Sequence, residues 1–255
     1  MAGRLENRVA IVTGGGHGIG KAYARRLAQE GAKLVIAELD EAAAHAVAEE
    51  LKSAGHEALG IHTDVSNPDS VKRMAAATME RFGRIDILVN NAAIFATVPM
   101  SRSAFDKITI DEWDRMMHVN VKGPWLASLA VVPHMRTQGY GKIINISSST
   151  SIKGSPSRIH YVTSKAGVIG FTKTLANEVG ADNICVNCVA PGSTLSEESP
   201  DDGVLKMRGD AANVRALKRV QTPDDLTGAV LFFASADSDF ITGQTLVVDG
   251  GNCLH

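Results

Sequence analysis

Apolar and polar positions alternate along this chain in two recurring lengths. "RVAIVT" is a short apolar run of strand type, followed by glycine punctuation and the amphipathic, helix-length "KAYARRLAQEG". "AKLVIAE" is the next strand, then "DEAAAHAVAEELKSAG", an alanine-rich helix ending at Gly55. "HEALGIHTD" precedes a helix within "SNPDSVKRMAAATMERFG", with Pro68 in its first turn and Gly83 at its end. "IDILVNNAA" reads as a buried strand. "IDEWDRMMHVNVKGPWLASLAVVPHMRTQGY" reads as one long helix that Pro124 and Pro133 should bend, or whose hydrogen bonding they should break locally. "GKIINISS" is a further strand, residues 158–179 a helix, and "NICVNCVA" and "TLVVDGG" two more strands.

Continuous apolar strands separated by helices imply a parallel sheet covered on both faces. The expected fold is therefore α/β: one doubly wound, Rossmann-like domain over residues 1–255, with about seven strands. Right-handed crossovers place all strand C-termini along one edge, where ligands bind. The least patterned segments, 94–109 and 193–220, follow strand ends and are expected as loops or short helices bordering a site.

Composition narrows the choices. Twenty-six basic residues face twenty-eight acidic ones, which argues against a nucleic-acid or anionic-membrane partner. No apolar run approaches the roughly 18 residues of a membrane helix. Glu6, Asn7 and Arg8 interrupt anything resembling a secretion signal, so the expected location is cytoplasmic. Cys185 and Cys188 have C-x-x-C spacing, but on a strand they point to opposite faces, and no partner pair completes a metal site. Both read as structural, and no metal is expected.

The candidate chemistry begins at "TGGGHGIG", residues 13–20, between the first strand and first helix. It fits T-G-x-x-x-G-x-G through Gly14, Gly18 and Gly20, a backbone able to approach a pyrophosphate at a helix N-terminus. Many strand–helix turns use glycine for geometry alone. Glu38, eighteen residues after Gly20, stands where an acid would hold the adenosine ribose hydroxyls, and Asp40 reads as the next helix N-cap. A carboxylate there repels a 2′-phosphate, and His17 stands where a cation would offset it, so NAD is expected over NADP. Asp64 reads equally as an adenine contact or a helix cap.

"RIHYVTSKAG" places Tyr161 four residues before Lys165. On spacing alone this pair is ordinary helix packing and a solvated face. Yet "TGGGHGIG", "NNAA", Asn120, "NISS", "YVTSK" and "APG" occur in order along essentially the whole chain. As a set they resemble the short-chain dehydrogenase/reductase family. That resemblance implies a tetrad. Tyr161 is the general acid/base, and Lys165 lowers its pKa and holds the nicotinamide ribose. Ser148, thirteen residues before Tyr161, bonds the substrate oxygen, and Asn120 anchors a water behind Lys165. Ser147 and Ser149 flank the serine assignment, which rests on spacing. The resemblance further implies cofactor contacts from Gly14, His17, Ile19, Glu38, Asp64, Val65, Asn91, Tyr161, Lys165, Pro191, Gly192 and Thr194. It also implies a homotetramer packed through the long helix and the Tyr161 helix, with "VDGGNCLH" near a neighbour. Two departures stand out: Ala93 replaces a glycine that tolerates positive φ, and Ser196 replaces a threonine.

The chemistry suits these residue types. A free phenol, pKa about 10, is a weak base near neutrality, and a nearby ammonium with a cationic nicotinamide would bring it closer. The implied reaction is hydride transfer between NAD and a secondary alcohol or its ketone. A ketoacyl-thioester reductase and a non-catalytic nucleotide-binding regulator are the alternatives. Residues 193–220 read as a substrate cover, first acidic (Glu197, Glu198, Asp201, Asp202), then basic. Ile94, Phe95, Ile152 and His160 are candidate pocket residues. They suggest a small to medium, partly apolar substrate, whereas Lys153 and Arg158 could meet the carboxylate of a hydroxy acid.

Overall fold

A computed structural model describes residues 3–95, 98, 100–197 and 199–254. Glu198 of the expected cover and His255 of the C-terminal stretch lie outside the described residues.

The seven strands are β1 (Val9–Thr13), β2 (Lys33–Glu38), β3 (Ala58–His62), β4 (Ile87–Asn90), β5 (Gly141–Ile146), β6 (Ile184–Pro191) and β7 (Thr245–Val248). They form one parallel sheet in the order β3-β2-β1-β4-β5-β6-β7. Alternate strand residues point to opposite faces. Ala10, Val12, Leu34, Ile36, Val89 and Ile144 pack under α1 (Gly18–Gln29), α2 (Glu41–Ser53) and a late helix at 224–234. Ile11, Val35, Leu88, Ile143 and Val186 pack under α3 (Pro68–Phe82), a long helix at 123–138 and the Tyr161 helix. The doubly wound α/β fold expected from the pattern is the one observed.

The helix starts follow local chemistry. Asp40 caps α2 by accepting the Ala43 N–H, and Asn67 caps α3 by accepting the Asp69 and Ser70 N–H groups. Asp64 is therefore not the α3 cap; it accepts from the Ser66 N–H and hydroxyl instead.

The expected single helix from residue 110 is more structured. Helix α4 (Ile110–Met117) passes through a π turn (His118–Lys122) into α5 (Gly123–Gln138). The Gly123 N–H reaches back to the His118 carbonyl, and Pro124, which has no N–H, comes next. The ladder thus shifts register where a donor is missing anyway. Helix α5 runs on through Pro133, which lacks the N–H for its own ladder bond, and the Thr137 hydroxyl donates to the Pro133 carbonyl. A short α6 (Thr150–Lys153) precedes α7 (Ile159–Val179), the predicted 158–179 helix. The 193–220 segment contains α8 (Asp202–Asn213), three turns capped by Asp201. Helix α9 (Asp224–Ala234) has no counterpart in the pattern reading, because "LTGAVLFFA" is apolar on nearly every side and shows no helical period. Cys185 and Cys188 are free thiols on opposite faces of β6, the first half-exposed and the second buried.

Candidate active site

The strand order reverses between β1 and β4, and a cleft of about 1350 Å³ opens at the C-terminal strand ends there. Gly14, His17, Ile19, Glu38, Asp64, Val65, Asn91, Ser148, Tyr161, Lys165, Pro191, Gly192 and Thr194 all border it. Asn120 does not.

At one end lies the glycine turn. Gly14 has φ +63°, and a Cβ on Gly20 would fall 2.0 Å from the Gly14 carbonyl oxygen, so the turn is closed against any side chain. It is clamped from β4. Thr13 Oγ1 donates to the Val89 carbonyl and accepts the Asn91 and Ala92 N–H groups, and the Asn91 amide donates to the Thr13 and Gly14 carbonyls at 3.0 Å. The Asn91 amide is thus committed to shaping the turn. Thr13 was visible only as the first letter of the motif, because its partners come from another strand. Ala93 has no positive φ, so its substitution for glycine carries no strain. The Glu38 carboxylate folds back on the turn, accepting the Gly16 N–H at 3.1 Å and the Leu39 N–H at 2.8 Å. His17 Nε2 lies 3.7 Å from Asp40.

The other end is built on α7. Tyr161 is buried, its ring tilted against Phe95 with centroids 5.1 Å apart. Ile94, Met116 and Val98 complete an apolar wall. Lys165, one turn further along α7, donates from Nζ to the Ile146 carbonyl at 2.8 Å and lies 6.0 Å from the centre of the Tyr161 ring. The three serines separate. Ser147 donates to the Lys165 carbonyl at 2.7 Å, facing into α7, while Ser149 is buried. Ser148 borders the cleft beside Tyr161, and its hydroxyl pairs with that of Thr150 at 2.9 Å. Asn120 lies behind the wall, accepting the Ile94 N–H at 2.8 Å and donating to the Ser164 hydroxyl at 3.1 Å. Its side chain ties the loop after β4 to α7.

The titrations follow burial. Burial pushes the Tyr161 phenol above its ordinary value, opposed by the Ser148 hydroxyl and then by the charges of Arg158, Arg208 and Arg102. The cations that oppose burial here are these three arginines. Lys165 is itself desolvated and pushed down to about 8.

Ile94, Phe95, Lys153 and Arg158 border the cleft, but Ile152 and His160 do not. His160 is 1% exposed and sits near Glu112, whose charge opposes the burial that lowers its pKa. One residue along a helix is a rotation of about 100°, so the neighbour of an inward-facing tyrosine faces elsewhere. Arg102, Arg115 and Arg208, unmarked by any motif, line the cleft instead. After β6, Thr194 is pinned by a bridge to Gln221, and a Cβ on Gly192 would meet Asp249 at 2.6 Å. The Ser196 carbonyl lies against Gly18, so the cover begins on top of the glycine turn.

Comparison with known proteins agrees with this architecture. The family model described as enoyl-(acyl carrier protein) reductase matches residues 14–252. A (2S)-[(R)-hydroxy(phenyl)methyl]succinyl-CoA dehydrogenase subunit of Thauera aromatica is 40% identical over 256 residues, spanning 98% of each chain. A 3-oxoacyl-(acyl-carrier-protein) reductase of Thermotoga maritima is 36% identical, spanning 97% of this chain and 98% of that one. The crystal structure of a 3-ketoacyl-(acyl-carrier-protein) reductase from Brucella melitensis complexed with NADH matches with a TM-score of 0.88. It is 31% identical and covers 98% of this chain and 100% of that one. The chain belongs to the short-chain dehydrogenase/reductase family. It is an oxidoreductase acting on CH–OH groups or their carbonyls with a nicotinamide cofactor.

Proposed function

We propose that this enzyme interconverts a secondary alcohol and its ketone using NAD, with Tyr161 as general acid/base. The observation that carries the proposal is the convergence of Ser148, Tyr161 and Lys165 at one end of a cleft whose other end is the glycine turn. The side-chain-free cradle at Gly14 and Gly20 suits a pyrophosphate, and Glu38, facing it, suits two ribose hydroxyls and disfavours a 2′-phosphate. Asp64, Val65, Pro191, Gly192 and Thr194 would flank the rest of the dinucleotide. Bound there, the nicotinamide supplies the hydride acceptor or donor. Ser148 orients the substrate oxygen, Tyr161 takes or returns its proton, and Lys165 stabilises the phenolate. Residues 193–220, with α8, cover the substrate.

A ketoacyl-thioester reductase remains the second reading. It is favoured by the relatives of that description, one of them complexed with NADH, so an acid such as Glu38 does not oppose it. The intact set of Ser148, Tyr161 and Lys165 weighs against a non-catalytic regulator.

Among the described residues no helix is long and apolar enough to cross a membrane. We place the enzyme in the cytoplasm as a homotetramer. Exposed Ile110, Trp125 and Leu129 on α4 and α5, and Leu246 and Leu254 near the C-terminus, suit such contacts.

Hydride turnover on a panel of secondary alcohols, hydroxy acids and ketoacyl thioesters, each with NAD(H) and NADP(H), tests the reading. A preference for NADP(H), or no turnover of any panel member, would overturn it.

A further inference from the structure

The cleft is electrically divided. Glu38, Asp40 and Asp64 lie at the glycine-turn end. The chemical end is lined by five cations from five separate segments: Arg102 after β4, Arg115 on α4, Lys153 on α6, Arg158 at the start of α7 and Arg208 on α8. Among the described residues, Glu197 is the acid bordering that end, and it is already engaged, pairing with Arg208 and accepting the Ser196 N–H.

The surplus charge is concentrated around Tyr161. Arg208 is 3% exposed, and its Nε has no hydrogen-bond partner although its other nitrogens reach Glu197 and Ser193 Oγ. Arg158 is half-buried and, among the described residues, donates to the Ser155 hydroxyl and to no carboxylate. Among the described residues, the hydrogen-bond partner of Arg102 is the Met207 sulfur. The three guanidinium groups feel one another: desolvation, then Arg102 and Arg208, pull the Arg158 pKa down. Gathering cations in a partly desolvated cleft is costly unless an anion joins them. Docking of α8 accounts for the Arg208–Glu197 pair. It does not account for Arg158 and Arg102.

We propose that the substrate is a hydroxy acid, or the corresponding oxo acid, whose carboxylate is held by Arg158 together with Arg208 and Arg102. The planar guanidinium fork matches a carboxylate. The wall of Ile94, Phe95 and Val98 takes the apolar body between that carboxylate and the reacting carbon at Tyr161. This rests on the dehydrogenase reading above and adds the substrate class.

The test is calorimetric titration of the NADH-loaded enzyme with phenylacetate, with its neutral isostere phenylacetamide and with phenyl phosphate. Phenylacetate should bind more tightly than the amide by at least about tenfold, the scale of one charge-assisted contact. Arg158→Met should remove that advantage while leaving NADH affinity unchanged, and Arg158→Lys should restore part of it. Equal binding of acid and amide overturns the proposal, as does an advantage that survives both Arg158→Met and the Arg102→Met/Arg158→Met pair. Binding of phenyl phosphate alone overturns the carboxylate, and weakened NADH binding in Arg158→Met assigns the guanidinium to the cofactor instead. Turnover separates the two readings. Uncharged alcohols oxidised as well as hydroxy acids sink only this proposal. Carboxylate binding that depends on Arg158, with no hydride transfer to any substrate, sinks only the dehydrogenase reading.

Discussion

The Lys165 ammonium is held between two elements: it donates to the Ile146 carbonyl at the end of β5 at 2.8 Å, and it stands 6.0 Å from the centre of the Tyr161 ring. The same bond that anchors it keeps it from drifting into the cleft. The ammonium is therefore held at a fixed range from the ring.

Tyr161→Phe removes the proton acceptor and keeps the ring packed on Phe95. The variant should melt within a few degrees of the wild type, bind NADH as the wild type does, and lose on the order of 10²–10⁴ in kcat/KM. Steady-state kinetics with a thermal melt check this, and substantial retained turnover refutes the acid/base role.

Lys165 also makes a pH prediction. Burial brings its pKa from 10.5 to about 8 in the folded protein. Between those values the unfolded chain binds the extra proton, so stability contributed at this site rises with pH. Below pH 8 the cost of burying the ammonium is complete, and above 10.5 it is gone. Relative to Lys165→Met, the wild type should therefore gain on the order of 3 kcal/mol between pH 8 and 10.5. Urea unfolding of both proteins across that window measures it, and a constant difference contradicts it.

Glu38 faces the turn where a 2′-phosphate would sit. The wild type should prefer NAD to NADP by at least about tenfold in kcat/KM, and Glu38→Ala should erode that preference mainly by weakening NAD. Paired kinetics with both cofactors decide it; an unchanged ratio in the variant removes Glu38 from cofactor choice.

Gly20→Ala would place a methyl 2.0 Å from the Gly14 carbonyl oxygen and 2.5 Å from Asn91 Nδ2. Both contacts are against a turn that is itself clamped, so relief requires the turn to open. Loss of measurable NADH binding and a fall of roughly 1–3 kcal/mol in stability are expected. Gly170→Ala, at a helical glycine with no atom within 4 Å of the added methyl, is the control and should do neither.

The chain's own pattern reached a long way. Strand and helix periods, Asp40 as a helix start, Gly83 as a helix stop, and the spacing from Tyr161 to Lys165 are all properties of a few neighbouring residues. Backbone hydrogen bonding and side-chain direction act over that range, so such signals survive in one dimension. Helix α9 escaped because its sequence is apolar on nearly every side, so that the half-buried Ala229 and Phe232 and the exposed Gly228 supply no polar face to give a period.

What only the folded chain decided is which distant side chains share a space. His160 stands beside Tyr161 in sequence yet lies near Glu112 and outside the cleft, whereas Arg102 and Arg208, 59 and 47 residues from Tyr161 along the chain, line the cleft with their charges acting on the phenol. Asn91 bears the name of a ligand contact but is committed to Thr13 and Gly14. The sequence by itself therefore determined the strands, the glycine turn and the Tyr161–Lys165 spacing, because each is local. Tertiary structure decided the charge of the substrate end, because that charge is a sum over segments that meet only when the strand ends and the cover are brought together.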